Sequence, residues 1–208
     1  EIAIQTGSMI AVAILYTRTL LSSRHLWKKV ALAFLPSAVA GLILYPFIKS
    51  LLGNPLLVAI SLFIGGILFL LIDRKVEQEE TPARELSYRE AFIVGCFQIF
   101  ALIPGVSRSG ATIIGGLIQK IPRGEVVRFS FLLALPTIFG ATALDMVKTS
   151  FAFTSHQWLL LAVGTLISCF VSLIAMKWLL RFISTHTFRP FGIYRIIIGV
   201  VLGIIFLV

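Results

Sequence analysis

At 208 residues, 58% apolar and 13% charged, with a mean hydropathy of +1.01, the chain carries more apolar surface than one soluble core buries. That excludes a soluble globular domain and leaves a polytopic membrane protein. The net charge of +9 is no nucleic-acid signal, because the basic residues sit at the ends of apolar runs, where they orient a chain and meet anionic lipid headgroups.

In chain order, residues 2–17 form a first apolar run, short for a span. Arg18, Arg24, Lys28 and Lys29 follow in a polar loop. A second span is expected over 30–48, with Pro36 and Gly41 as bends and Lys49 at its far side. Gly53-Asn54-Pro55 is a turn, and a third span covers 55–72. Asp73 to Glu90 is the most charged stretch and reads as a solvated loop. Two short apolar segments come next, 91–103 and 113–119, with a polar break between them. Lys120, Pro122, Arg123 and Arg128 surround their exit. Later spans are expected over 125–146, 157–180 and 191–208, with Arg181 to Pro190 between the last two. Cys96 and Cys169 stand isolated in apolar surroundings and read as small core residues. No signal peptide is visible, and the first residue is Glu1 rather than Met, so a longer translation product is expected.

Most Lys and Arg fall in the loops 18–29, 74–89, 120–128 and 181–189, while the opposite loops offer only Lys49 and Lys148. The positive-inside rule makes the rich loops cytoplasmic and puts the C-terminus outside. Neither segment flanking the polar break reaches the about 20 residues a crossing helix needs. Together 91–119 fit a re-entrant helix-loop-helix hairpin that enters and leaves on the cytoplasmic side. Irregular backbone at that depth is tolerated where it is buried in protein or lines a wet cavity.

The expected architecture is therefore all-α, with about six transmembrane helices plus the hairpin in a single membrane domain, 1–208. Residues 1–73 supply three spans, 74–90 a cytoplasmic loop, and 91–208 the hairpin and three more spans. A hairpin plus three spans is an odd unit, so a second such unit would be inverted, an arrangement known in membrane proteins. Gly65-Gly66, Gly115-Gly116 and Gly199-x-x-x-Gly203 offer close helix contacts, and one reading of them is a homodimer interface.

The polar break itself reads Ile103-Pro104-Gly105-Val106-Ser107-Arg108-Ser109-Gly110-Ala111-Thr112. An intramembrane Arg is costly without a partner or a wet pocket. Pro104 is expected to stop the entering helix, Gly105 and Gly110 to permit tight turns, and Ser109 to cap the returning helix. Thr112 lies three residues after Ser109 and four after Arg108, so the three can share a helical face. Hydroxyls, backbone donors at a helix start and an Arg suited to bidentate contact read as a phosphate cradle. The bland alternative is a broken helix whose Arg pairs with carbonyls.

Pro104 through Thr112 also matches in full the pattern P-G-x-S-R-S-x-x-T. Gly95-Cys96-Phe97-Gln98 before it, and Phe129-Ser130-Phe131-Leu132-Leu133-Ala134 and Gly140-Ala141-Thr142-Ala143-Leu144-Asp145 after it, are similar too. In these motifs, and along essentially its whole length, the chain resembles the undecaprenyl-diphosphate phosphatases, or bacitracin-resistance proteins. The resemblance implies an inverted-repeat enzyme of the bacterial plasma membrane. Such an enzyme removes the terminal phosphate of a C55 polyprenyl diphosphate and so regenerates a lipid carrier for cell-wall synthesis. It gives Arg108, Ser107 and Thr112 catalytic places. Gly105, Arg108, Ser109 and Gly110 fall to diphosphate binding, with membrane lipid and the polyprenyl diphosphate as partners. Gln98, six residues before Pro104, either reaches this site or is satisfied by a neighbouring helix.

Hydrolysis also needs a nucleophile, usually with a base, and often a metal. All nine acidic residues and three His fall in loops, at span ends or at the terminus, and nothing near Ser107 would activate it as a nucleophile. The family resembled draws these groups from another signature, a Glu-x-x-x-Glu helix, a Ser-rich turn and a His, which would precede Glu1. A divalent cation, Mg²⁺ or Ca²⁺, is implied with ligands outside this sequence, and the 208 residues alone are expected to be incomplete as an enzyme. A transporter or flippase for a phosphorylated lipid or anion is the alternative, since re-entrant hairpins and inverted halves serve transport equally well.

Overall fold

In the computed structural model, residues 2–76, 84–148, 154–183 and 186–207 are described. Within the expected loops, 77–83, 149–153 and 184–185 lie outside the described residues, as do Glu1 and Val208. All described elements are helical: α1 (Ile2–Leu15), α2 (Thr17–Ser22), α3 (Arg24–Ile43), α4 (Tyr45–Leu51), α5 (Pro55–Val76), α6 (Tyr88–Gln98), α7 (Arg108–Ile118), α8 (Arg123–Lys148), α9 (Ser155–Ile183) and α10 (Arg189–Leu207). A 3₁₀ turn, Ile99–Leu102, prolongs α6.

Five of these helices are long and apolar enough to cross a bilayer: Arg24–Ile43, Pro55–Ile72, Arg123–Ala143, His156–Ile183 and Arg189–Phe206. In the first apolar run α1 ends at Leu15, with 14 residues in the described chain. The chain bends at Tyr16 but keeps its ladder, with Tyr16 N donating to Val12 O at 3.0 Å and Leu20 N to Tyr16 O at 2.8 Å. Over Ile2–Ser22 the bent rod is about 30 Å long at the usual rise of 1.5 Å per residue. In the next span the break falls after Ile43, before Pro46, and not at Gly41; Pro36 sits inside α3.

Small residues bring the long helices together. α5 lies along α10, where a Cβ on Gly66 would stand 2.7 Å from Gly192 O and one on Gly199 2.8 Å from Ala59 O. α1 packs along α9 and across α8, and α3 packs on α6 and α8. Exchanging α1 with α8, α3 with α9 and α5 with α10 maps these long-helix pairings onto one another.

The hairpin is wedged into this frame. α6 and α7 are 11 residues each, about 16 Å at 1.5 Å per residue, half of what a crossing needs. Their outer ends meet, with Gln119 Nε2 donating to Glu90 O at 3.4 Å. At that base Ser87 and Glu90 form a reciprocal capping box that starts α6. The tip rests on α5 at Val58, one turn from Pro55, so it lies toward the end of α5 remote from the base. α7 is buried without interruption from Gly110 to Leu117.

Candidate functional site

The tip is built by a single left-handed residue. Gly105 has φ +86°, and a Cβ there would stand 2.7 Å from Val58 O, so glycine is required both by conformation and by space. The entering helix has already ended, since α6 gives way at Gln98 to the 3₁₀ turn and the backbone is extended at Ile103, one residue before Pro104. The chain turns at Pro104-Gly105, with Val106 N donating to Ile103 O at 3.1 Å, and is extended again at Ser107, whose Oγ accepts from Gly110 N at 3.1 Å. Ser107 is therefore the cap of α7, in place of the expected Ser109, and Arg108 and Ser109 occupy the first helical turn. Gly110 makes no turn: it is helical and buried, and a Cβ on it would stand 3.1 Å from both the Phe69 ring and Ser107 Cβ.

Arg108 projects from this first turn into a cavity of about 280 Å³ between α1, α7, α8 and α9. The same cavity is lined by Ser109, Ser130, Ser8 and Ser172. The guanidinium has one hydrogen bond, Nη1 to Ala134 O at 3.5 Å, a long contact, and among the described residues no carboxylate pairs with it. With five N–H groups in a planar fork, most of its donor capacity stays open to a ligand. The N-terminal end of α7 adds its positive dipole at the same place.

The other expected site residues divide. Ser107 Oγ and Ser109 Oγ lie 3.2 Å apart at the tip. Thr112 shares the expected face but turns its hydroxyl back into the fold. Its Oγ1 donates to Arg108 O (3.1 Å) or Ser109 O (3.0 Å), sits 2.6 Å from Ser130 Oγ, and is buried. It ties the first turn of α7 to α8, a positioning arrangement rather than an open contact for substrate. Gln98 is likewise held by neighbours: Nε2 donates to Ser37 Oγ of α3 at 2.5 Å and to Thr137 Oγ1 of α8 at 3.3 Å. Of the two readings open from sequence, the structure supplies the neighbouring helices.

A residue missed from sequence stands on the opposite side of the tip. Arg195 of α10 sends Nη2 to Gly105 O at 3.1 Å, and its Nε is buried without a hydrogen-bond partner. It lines a cavity of about 210 Å³ together with Ser107 and Ser109, and Ser109 also borders the Arg108 cavity. Two guanidinium groups thus flank one pair of serines. Arg195 is the single charge in the last apolar run, a signal in the sequence, but it stands close to the loop before α10, where an edge residue also stands. Ser8 and Ser172 carried no local signal at all.

For a metal the fit is poor: among the described residues no group of three His, Cys, Asp or Glu could hold one. Guanidinium groups bind anions, and hydroxyls suit an anion beside them.

A sequence model of the family described as bacitracin resistance protein BacA matches residues 1–201. The chain is 44% identical to an undecaprenyl-diphosphatase of Aquifex aeolicus, over 100% of this chain and 82% of that protein. It is 44% identical to one of Sulfurihydrogenibium, over 96% and 80%, and 41% identical to one of Thermus thermophilus, over 99% and 80%.

Proposed function

This chain belongs to the bacitracin resistance protein BacA family, and from that membership we propose how its hairpin tip serves the family's reaction. The protein is a multi-pass membrane enzyme, an undecaprenyl-diphosphatase, that hydrolyses undecaprenyl diphosphate to undecaprenyl phosphate and inorganic phosphate. Its relatives favour this reading over a transporter or flippase.

The observation that carries the site assignment is the uncommitted Arg108 guanidinium at the capped start of α7, beside Ser107 and Ser109. In hydrolysis the bond between the terminal phosphorus and the bridging oxygen breaks, and water supplies the new oxygen. Enzymes lower that barrier chiefly by positioning and by fixed positive charge around the phosphoryl oxygens. Arg108 offers a bidentate fork to the terminal phosphate, and the Ser109 hydroxyl adds a donor. Gly105 and the Ser107 cap hold both in register. Thr112 and Gln98 act behind the site, by fixing α7 on α8 and α6 on α3 and α8. A divalent cation, Mg²⁺ or Ca²⁺, would add charge neutralisation when bound; the described residues contribute phosphate binding and not metal ligands.

The test is phosphate release from a polyprenyl diphosphate by the purified natural protein, its Arg108→Ala variant and its Arg108→Lys variant. Both variants are expected to be impaired at low substrate, because Lys keeps the charge and loses the fork. Near-normal turnover by either would remove Arg108 from the site.

The orientation belongs to the same proposal: inner membrane, charged loops cytoplasmic, C-terminus outside, and two inverted halves. The base supports it, since Glu85, Glu90, Gln119 and Arg128 gather at one end of the bundle with Lys29. The exchangeable pairing of the long helices supports the inverted halves. Single cysteines at Glu85 and Gly124, after removal of Cys96 and Cys169, are expected to label from one face and one at Thr154 from the other. Labelling of Glu85 and Gly124 from opposite faces would make α6–α7 a full crossing. A second copy would meet the chain at Gly203 on α10; the other glycines named for close contact pack within the chain.

A further inference from the structure

The hairpin divides two different spaces. On the Arg108 side the cavity sets four serines, Ser8, Ser109, Ser130 and Ser172, among apolar neighbours. On the other side, between α5, α6, α7 and α10, lies a larger groove of about 440 Å³, within the usual range for a small-molecule site. Its walls are apolar along nearly their whole length, with Leu68, Phe69, Phe97 and Ile114 among them. Several wall residues reach the outer surface of the bundle, including Ile64 at 50% exposure and Ile118 at 56%, so the groove opens sideways into the lipid. It turns polar only where it meets the tip, at Ser61, Ser107 and Arg195. Arg195 lines both this groove and the smaller cavity that contains Ser107 and Ser109. Gly65 gives it room, since a Cβ there would stand 2.8 Å from Arg195 Nη2.

An apolar groove that opens to lipid and ends on an arginine matches one kind of molecule: an apolar chain with an anionic head. Taking the undecaprenyl-diphosphatase reading as given, we propose that this groove holds the first isoprene units of the substrate and that Arg195 holds the phosphate attached to the chain. The order of groups follows. A chain lying along Leu68 and Ile114 brings its first phosphate to Ser107 and Arg195. The terminal phosphate then reaches past Ser109, which borders both smaller cavities, to Arg108. Arg195 stays with the phosphate that the product retains, and Arg108 binds the one that leaves. The rest of the long chain continues into the bilayer.

The two arginines are thereby given different products, and binding measurements separate them without any need for turnover. Farnesyl phosphate and inorganic phosphate are titrated against the natural protein in detergent and against Arg195→Ala, Arg195→Lys, Arg108→Ala and Ile64→Trp. Arg195→Ala is expected to weaken farnesyl phosphate at least about tenfold, the scale of one charge-assisted hydrogen bond, with inorganic phosphate little changed and partial rescue in Arg195→Lys. Arg108→Ala is expected to do the reverse. Ile64→Trp, which fills the groove from its outer wall, is expected to weaken farnesyl phosphate alone, since each buried CH₂ lost carries roughly a fourfold factor. A polyprenyl phosphate with a photoreactive group on its first isoprene units, bound to the unmutated protein, is expected to crosslink at Leu68 or Ile114.

Equal weakening of both ligands by Arg195→Ala, or crosslinks at Met9 or Met176 on the Arg108 side, would overturn the proposal. The crosslink decides the case even where a variant fails to fold. Failure of the underlying reading looks different: the unmutated natural protein would release no phosphate from farnesyl diphosphate, while crosslinking in the groove would still establish a lipid site there.

Discussion

At the base of the α6–α7 hairpin, charges meet opposite charges. Lys29 Nζ lies 3.0 Å from Glu85 Oε2. Arg84 grips both oxygens of Glu90, at 2.6 and 3.0 Å. Arg128 and Glu125 pair at 3.5 Å along α8. At the tip, Arg108 and Arg195 lie on either side of two serines and, among the described residues, donate to carbonyls. One end of the hairpin uses its charges to anchor itself, and the other holds them in reserve. A guanidinium kept at depth with no carboxylate beside it among the described residues is expensive, and the cavities beside both arginines leave room for the phosphorylated ligand proposed above.

Breaking the tip is expected to have the largest consequence. Arg108→Ala removes the fork proposed to face the terminal phosphate. At about 1.5–3 kcal/mol for a charged hydrogen bond, phosphate release at low substrate should fall about 10- to 100-fold. The same assay on Glu85→Gln, at the base, should show little change, because exposed ion pairs contribute about 0–1 kcal/mol. A comparable loss from both variants would erase the distinction between the two ends.

Two glycines sharpen it in terms of stability. Gly105 has φ +86° and would bring a Cβ within 2.7 Å of Val58 O, a backbone atom that cannot step aside. Gly105→Ala should therefore destabilise by about 1–3 kcal/mol from the left-handed conformation alone, with the overlap added. Gly124, at the start of α8 near the base, has nothing within 4 Å of its Cβ position. Gly124→Ala should be neutral, or stabilising by up to about 1 kcal/mol through helix propensity. Thermal unfolding of the two variants in detergent checks both.

The contrast also explains what could be read from the chain in advance. Spans are one-dimensional features: an apolar run of the right length is nearly enough. The expected 55–72, 157–180 and 191–208 accordingly correspond to Pro55–Val76, Ser155–Ile183 and Arg189–Leu207. Arg108 was legible for the same reason, as a charge where none belongs. What failed were choices between near-equal local options. Ser107 and Ser109 both suit a cap, and only the extended backbone at Ser107 decides between them. Gly110 suits a turn as well as a tight contact, and only Phe69, folded in from α5, selects the contact. Arg195 meets the tip through Gly105 O, 90 residues away in sequence. Ser8 and Ser172 join Arg108 only because α1 packs along α9. No local pattern encodes such meetings.

The smallest expected effect lies at the base and concerns acid. Arg84 and the amide of Ser87 hold the Glu90 carboxylate, and its pKa falls from 4.5 to about 2. Because the folded value is depressed, the charged form favours folding. The contribution is complete above about pH 4.5 and is lost as the pH falls from there toward 2. Arg84 is partly exposed, so screening keeps the gain to about 1 kcal/mol or less. Glu90→Gln should lower the unfolding temperature slightly at neutral pH and flatten its fall between pH 4.5 and 2, leaving turnover at neutral pH nearly intact. An unfolding profile as steep in Glu90→Gln as in the unaltered protein would mean that another carboxylate anchors the hairpin. A large loss of turnover would mean that base and tip are coupled, so that the anchoring charges also set the position of Arg108.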